Sequence, residues 1–309
     1  NPLTLPIIQT STVVVDREQT ILRHFSDQTG VFRHWVELED INPLYLQALI
    51  NYEDRYFYQH FGINPFATLR ALGQWITHKK VISGSSTLTM QVARLLYPHP
   101  KTIRGKIEQM FRAFQLELTL SKQDILTLYV NIAPMGGTTQ GVQAASWRYF
   151  SKDASSLNIS ESALLVALPQ RPSVYRPDHS LEKATLARNK VLKRLATFNL
   201  VSAEDVQRYQ REPVNYQPGQ TLFTAPLLSE DLRKSHPNQN IIHTTLNNSL
   251  QKKIERFIKE QSQNWPDKLS AAVLIVNNLD HQVHAYGGST DLVNNERVGH
   301  VNMVTAIRS

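Results

Sequence analysis

From residue 42 to residue 198 the sequence is written almost continuously in the helical period, and that run constrains the fold more than any other feature. Asn42-Pro43 is a good N-cap and first-turn pair, and Leu46, Leu49, Ile50, Glu53 and Phe57 then fall on one stripe. Asn64-Pro65 opens a second helix of the same kind, expected to reach about residue 77. Helix returns over 87–96 and stops before Pro98 and Pro100. Ile103, Ile107, Met110, Phe111, Phe114 and Leu118 predict one long amphipathic helix. Ser121, with Asp124 three residues on, caps the next, which runs to Asn131. Gly136-Gly137 reads as a turn. Helical patterns resume over 141–149, 160–168 and 181–198, with Pro169, Pro172 and Pro177 read as an extended segment.

The flanks have a different grammar. Residues 1–37 read as strands, with Thr12-Val13-Val14-Val15 and Thr20-Ile21-Leu22 on either side of a polar turn. Residues 202–240 are polar and punctuated by Pro213, Pro218, Pro226 and Pro237, which suggests a connector. Strand character returns over 241–246 and 271–286, around a helical stretch at 250–261. No repeat at a fixed period is present. At roughly 150 residues per domain, 309 residues imply about two domains.

Composition narrows the class. With 41% hydrophobic and 19% charged residues the chain is globular, not disordered. It contains no cysteine, which excludes disulfides, thiolate nucleophiles and cysteine-ligated metals. Lys plus Arg exceed Asp plus Glu by 33 to 26, and the resulting +7 suits an anionic partner: nucleic acid, a phospholipid surface or a phosphate-bearing substrate. The longest apolar runs, such as 271–276 and 163–168, fall far short of the roughly 20 residues of a spanning helix. Asn1-Pro2-Leu3-Thr4 has no signal-peptide pattern. A cytosolic chain, or the excised soluble part of an anchored protein, is expected.

Three features suggest a site. Glu53 shares its stripe with apolar residues, so it lies on or beside a buried face, where partial desolvation suits a carboxylate to acid–base work. The alternative is an ordinary ion pair at the stripe's edge. The run Gly84-Ser85-Ser86-Thr87-Leu88-Thr89 leads small polar residues into a helix start, where N–H groups and hydroxyls can face an anion. An ordinary capped helix would read the same way. It is not a P-loop, because no Gly-Lys-Ser or Gly-Lys-Thr occurs. Arg94, Lys101, Arg104 and Lys106 follow closely, as a phosphate site or as a solvated basic face. His60 and His99 are isolated and read as structural, with no metal-ligand spacing.

In this order the features resemble a known family. Glu53-Asp54-Arg55-Tyr56-Phe57-Tyr58-Gln59-His60-Phe61-Gly62 resembles the first motif of the family 51 peptidoglycan glycosyltransferases, the glycosyltransferase domains of class A penicillin-binding proteins. Gly84 through Arg94 is similar to the second motif, Ser121 through Asn131 to the fourth, and Gly141 through Phe150 to the fifth. Glu161-Ser162-Ala163-Leu164-Leu165 and Leu168-Pro169-Gln170-Arg171-Pro172-Ser173 are similar too, so the resemblance covers roughly residues 38–200. Pro98-His99-Pro100-Lys101-Thr102, Ala133-Pro134-Met135-Gly136-Gly137-Thr138 and Gly299-His300-Val301-Asn302-Met303-Val304 resemble one branch in particular.

The resemblance implies a mainly α, lysozyme-like glycosyltransferase domain with flanking β segments, multidomain α+β overall. It divides the chain into a strand-bearing segment (1–37), the glycosyltransferase domain (38–205), a linker (206–268) and the beginning of a penicillin-binding transpeptidase domain (269–309). The transpeptidase nucleophile would lie in a Ser-x-x-Lys motif, usually just after a pair such as Arg308-Ser309; the sequence stops at Ser309, so that residue is not assigned the role. It implies polymerisation of lipid II into glycan strands, with Glu53 as general base and Ser86, Thr87, Gln91, Arg94, Lys101 and Lys106 holding donor sugar and pyrophosphate. The expected partners are lipid II, the nascent glycan strand, the lipid surface of a bacterial inner membrane at its periplasmic face, and other cell-wall synthesis proteins. Nucleic acid is not expected, since no recognition motif is present. The anchor helix of family members is expected ahead of Asn1.

Departures from the family pattern bear on mechanism. Ungapped alignment back from Lys122 puts Gly105-Lys106 on the Arg-Lys pair of the third motif and Gln109 on its second glutamate. Glu108 is adjacent, but one residue on a helix turns the side chain by about 100°. Arg104 lies beside the missing Arg; Thr127 replaces a common Glu in the fourth motif and Met90 a Gln in the second. Gln109 is expected to donate to a phosphate oxygen, where a glutamate would need a metal or a proton. No cofactor is therefore expected to be required, although a divalent cation such as magnesium could sit at the pyrophosphate. Rival readings are a lysozyme-like hydrolase or lytic transglycosylase, and a non-enzymatic lipid II-binding scaffold.

Overall fold

A computed structural model describes residues 3–66, 86–100, 102–217, 224–266, 269–290 and 299–307. The chain forms two compact units, Asn1–Gln9 with Arg33–Gly219, and Thr10–Phe32 with Gln220–Ser309.

The first unit is helical. Helix α1 (Pro43–Glu53) starts where the sequence says, with the Asn42 side chain accepting from Leu44 N–H at 2.9 Å and Pro43 in the first turn. It ends earlier than the stripe suggests. Asp54 leaves the helical region, so Phe57, although fully buried, belongs to the loop beyond. The helices α2 (Leu88–Leu96), α3 (Ile103–Thr119) and α4 (Lys122–Ile132) open on the side chains of Thr87, Thr102 and Ser121, the last in a reciprocal capping box with Asp124. The second helix opened by Asn64-Pro65 lies, after Phe66, outside the described residues.

Two short strands, β4 (Pro134–Gly136) and β5 (Thr139–Gln140), pair as a hairpin around the expected Gly-Gly turn. Gly136 takes φ +116°, and a Cβ there would sit 2.8 Å from the Tyr149 hydroxyl, so only glycine fits. Beyond lie α5 (Val142–Phe150) and α6 (Ile159–Ala167). α6 is buried at every residue and packs on α1 and on α8 (Leu181–Ala196). At roughly 1.5–3 kcal/mol per fully buried large apolar side chain, α6 is the thermodynamic centre of this unit.

The proline segment is not extended. Leu168–Gln170 is a 3-10 turn and Pro172–Tyr175 a one-turn helix, α7. Proline is tolerated there because first-turn N–H groups have no helical acceptor to lose. The connector likewise contains α9 (Ala203–Arg211), capped by Ser202, and in the second unit α10 (Pro226–Ser235), with Pro226 in its first turn.

In the second unit β1 (Val13–Val15) runs antiparallel to β2 (Ile21–His24) and parallel to β6 (Ile241–His243). β3 (Phe32–Arg33) lies where the chain leaves this unit for the first. The unit's core is Val14, Leu22, Phe25, Ala225, Ile242, Leu246 and Tyr286. β7 (Val273–Val276) and β8 (Val283–Gly287) form a hairpin, with α11 (Asn248–Ser262) packed on β8. The β1–β6 pairing is why the compact units divide the chain differently from the four segments expected from the sequence: residues 10–32 close a sheet with a strand from residues 241–243, so they do not stand as a separate N-terminal segment.

The long helix α3 departs most from expectation. Its apolar stripe points outward: Ile103, Ile107, Phe111, Phe114 and Leu118 are all exposed, with Ile103 at 77% and Phe111 at 57%. The buried face is Gly105, Gln109, Ala113 and Leu116.

Candidate active site

Glu53 is the last residue of α1 and lines a cleft of about 980 Å³ within the first unit, together with Tyr52, Arg55, Ser86, Arg194 and Phe198. Both of its carboxylate oxygens are held. Gln91 of α2 donates its amide N–H to Oε2 at 2.8 Å, and Gln170, in the 3-10 turn after α6, donates to Oε1 at 2.8 Å. Gln91 is itself anchored, its Oε1 accepting from the Tyr129 hydroxyl at 3.3 Å. Tyr129 is buried on α4, and burial, then the nearby Glu53 charge, pushes its phenol well above the usual range. It therefore stays a neutral donor.

Asp54, next along the chain, faces inward and fixes the loop. Its carboxylate accepts from the Leu88 N–H at 3.0 Å and pairs with His60 Nε2 at 2.9 Å. The loop is pinned further on. Lys122 Nζ donates to the His60 carbonyl and to Glu117 Oε1, both at 2.7 Å, and lies 4.5 Å from the Phe57 ring centre. Gly62, at φ +78°, presses against the Ala113 carbonyl, 3.1 Å from where a Cβ would stand. This polar lattice connects the segment after α1 to the start of α2 and to the junction of α3 and α4. His60 is thus a structural histidine, bound to a carboxylate.

The remaining expected residues divide. Ser86 lines the cleft and accepts from Lys106 Nζ at 2.7 Å. Lys106 is half-buried, and burial, with Arg94 as the second cause, lowers the pKa of its ammonium. Arg94 is exposed in the last turn of α2. Thr87 is buried, with its hydroxyl committed: it donates to the Gly62 carbonyl at 2.6 Å and accepts from Met90 N–H at 3.1 Å. Lys101 lies outside the described residues.

Gln109 is 3% exposed, and neither end of its amide is free. Nε2 donates to the Met90 carbonyl at 2.5 Å, and Oε1 accepts from Lys106 at 3.1 Å. The expected hydrogen bond from Gln109 to a phosphate is therefore replaced by an inward one, and Gln109 bears on the cleft through Lys106. Glu108 is exposed, turned about 100° around the helix from the buried amide. Among the described residues no cluster of three or more His, Asp or Glu side chains is placed to hold a metal ion.

Sequence reasoning missed Gln170, Tyr129 and the arginine wall. Arg55 and Arg194 stack on the Phe198 ring at 4.5 and 5.4 Å. Gln170 stood inside the Leu168-Pro169-Gln170-Arg171 motif, but no periodicity joins it to a glutamate 117 residues away.

Comparison with known proteins identifies the family. Residues 18–196 match the transglycosylase family. Penicillin-binding protein 1C of Escherichia coli strain K12 is 48% identical over an alignment covering 100% of this chain and 40% of that protein. Penicillin-binding protein 1A of the same organism is 34% identical over 66% of this chain and 24% of its own length. Penicillin-binding protein 2D of Bacillus subtilis strain 168 is 35% identical over 61% of this chain and 28% of its own. The chain thus spans less than half the length of these relatives. The branch resemblance seen in the sequence is to the 1C protein. With more than half of its residues matched, the chain belongs to the transglycosylase family, the peptidoglycan glycosyltransferases of class A penicillin-binding proteins.

Proposed function

We propose that the helical unit polymerises lipid II into β-1,4-linked glycan strands, with Glu53 as general base. The observation that carries this reading is a carboxylate held at the end of a helix, open to a cleft large enough for sugar residues, with an ammonium on the cleft's Ser86. The donor is the growing strand on its lipid pyrophosphate, and the acceptor is a sugar hydroxyl of lipid II. Glu53 takes the hydroxyl proton as the oxygen attacks the donor anomeric carbon. The bond to pyrophosphate breaks from the opposite face, so configuration inverts and one base suffices without a covalent intermediate. Charge then grows on the departing pyrophosphate, and Lys106, with Arg94 and Lys101, meets it. Gln109 keeps Lys106 pointed at Ser86 without neutralising it, as a carboxylate in its place would. With charge supplied this way, a divalent cation at the pyrophosphate is an accessory, and a chelator should cost little activity.

The outward stripe of α3 supports the lipid partner. Five large apolar residues on one face, with Phe61 against Phe114 at 5.2 Å and exposed Arg104 beside them, suit the surface of an anionic bilayer. No helix among the described residues is long and apolar enough to cross a membrane. We place the cleft at the periplasmic face of a bacterial inner membrane, where a lipid-linked substrate would be met. Residues 269–309 are read as the opening of a penicillin-binding transpeptidase domain, on the strength of the penicillin-binding relatives.

The test is incubation with lipid II and, separately, with finished glycan. Chain growth supports the reading; cleavage of finished glycan favours the lytic alternative. Glu53→Gln should lower polymerisation by about 10²-fold or more, and full activity in that variant would sink the assignment.

A further inference from the structure

We propose that Gln170 is a displaceable positioning residue for Glu53, one that orients the carboxylate in the resting enzyme and gives up Oε1 to the acceptor hydroxyl. The two amides on Glu53 make bonds of the same length, 2.8 Å each, yet they are mounted differently. Gln91 projects from α2 between buried Met90 and Val92, and its own carbonyl is held by buried Tyr129. Gln170 is exposed at the end of a single 3-10 turn. Among the described residues it makes no side-chain hydrogen bond other than the one to Glu53. The Oε2 side is fixed, and the Oε1 side is held by a group that costs little to move.

An acceptor hydroxyl that is to lose its proton must itself donate to Glu53. Oε1 is the oxygen whose neighbour can make room. Once displaced, the Gln170 amide remains at the cleft edge with its N–H and carbonyl free for the incoming sugar. The acceptor hydroxyl then takes the Gln170 amide's place as donor to Oε1, which sets the proton it is to lose directly on the base.

Tyr45 on α1 and Tyr129 on α4 feel the Glu53 charge, Arg55, Arg194 and the mutually paired Asp54 and His60 line the same cleft, and Arg94 on α2 acts on Tyr129. None hydrogen-bonds Oε1, so a change there reports on Gln170.

The inference rests on Glu53 as general base, and two variants keep the failures apart. Lipid II polymerisation is followed against substrate concentration for wild type, Gln170→Ala and Gln170→Glu. A carboxylate at position 170 cannot donate to Oε1, so kcat in Gln170→Glu should fall at least as far as in Gln170→Ala. The plateau kcat should fall several-fold in Gln170→Ala with KM little changed, and its thermal midpoint should match wild type because the side chain is exposed. A Gln170→Ala profile that superimposes on wild type, or a loss confined to KM, overturns the proposal. If Glu53→Gln still polymerises, the base assignment itself falls, whatever Gln170 does.

Discussion

Helices α6 and α3 are both legible in the sequence and place their apolar residues in opposite ways. α6, which carries the unbroken apolar run at 163–168, is buried on every side. α3 turns its apolar stripe to solvent and buries a glycine, a glutamine, an alanine and a leucine. The contrast teaches that an amphipathic pattern fixes the existence of two faces but not which one meets the core. On α3 the inner face is chosen by close approach, not by hydrophobicity. Gly105 lies against the Pro100 carbonyl, and Gln109 reaches the Met90 carbonyl. A side chain at position 105 would collide with that carbonyl, so close approach at this end of the helix fixes which face is inside.

Single substitutions can break this contrast. The largest effect is expected in α6, where Leu165→Ala should cost about 3 kcal/mol in chemical unfolding, against less than about 0.5 kcal/mol for exposed Phe111→Ala on α3. Equal losses at the two positions would erase the distinction. Next comes the polar inner face of α3. Gln109→Glu aims a carboxylate oxygen at the Met90 carbonyl and should cost about 2 kcal/mol near neutral pH, easing as acid protonates the new side chain and restores a donor. A variant as stable as wild type at pH 8 would show that the amide donor is dispensable.

A buried titratable group offers a third test, of comparable size. His34 is 6% exposed, touches Trp147, and is pushed down to about 4 by burial, which outweighs the opposing attraction of Asp153. Its folded-state value lies below that of the unfolded chain, so the unfolded state takes up protons first as pH falls. Stability is therefore full above about pH 6.5 and declines towards pH 4, by roughly 2 kcal/mol at pH 5. His34→Gln should flatten that acid decline, and an unchanged slope would count against it. The smallest stability effect, with the largest change in partitioning, belongs to α3. Ile107→Asp with Phe111→Asp should leave the thermal midpoint within about 2 °C while abolishing sedimentation with anionic vesicles. Retained vesicle binding would remove the membrane role of this face.

Much of the helical unit was legible because its signals are local. Asn42-Pro43, Thr87, Ser121 with Asp124, and Gly136-Gly137 act within four residues of themselves, and each starts or turns the chain where expected. Glu53 was also visible, as a charge on an apolar stripe. What was not legible depends on distance along the chain. Gln170 meets Glu53 across 117 residues, β1 pairs with β6 from the other end of the sequence, and the prolines near residue 170 start helical turns because neighbours fix their place.

By itself, then, the sequence determined the helix starts, the carboxylate and the order of motifs, because capping, φ restriction and hydrophobic period are properties of a few adjacent residues. Only the tertiary structure decided which face of α3 is inside, where the Gln109 amide points, and that Glu53 is held between the amides of Gln91 and Gln170. Those outcomes are set by packing space and by hydrogen-bond partners from remote segments, which no local pattern encodes.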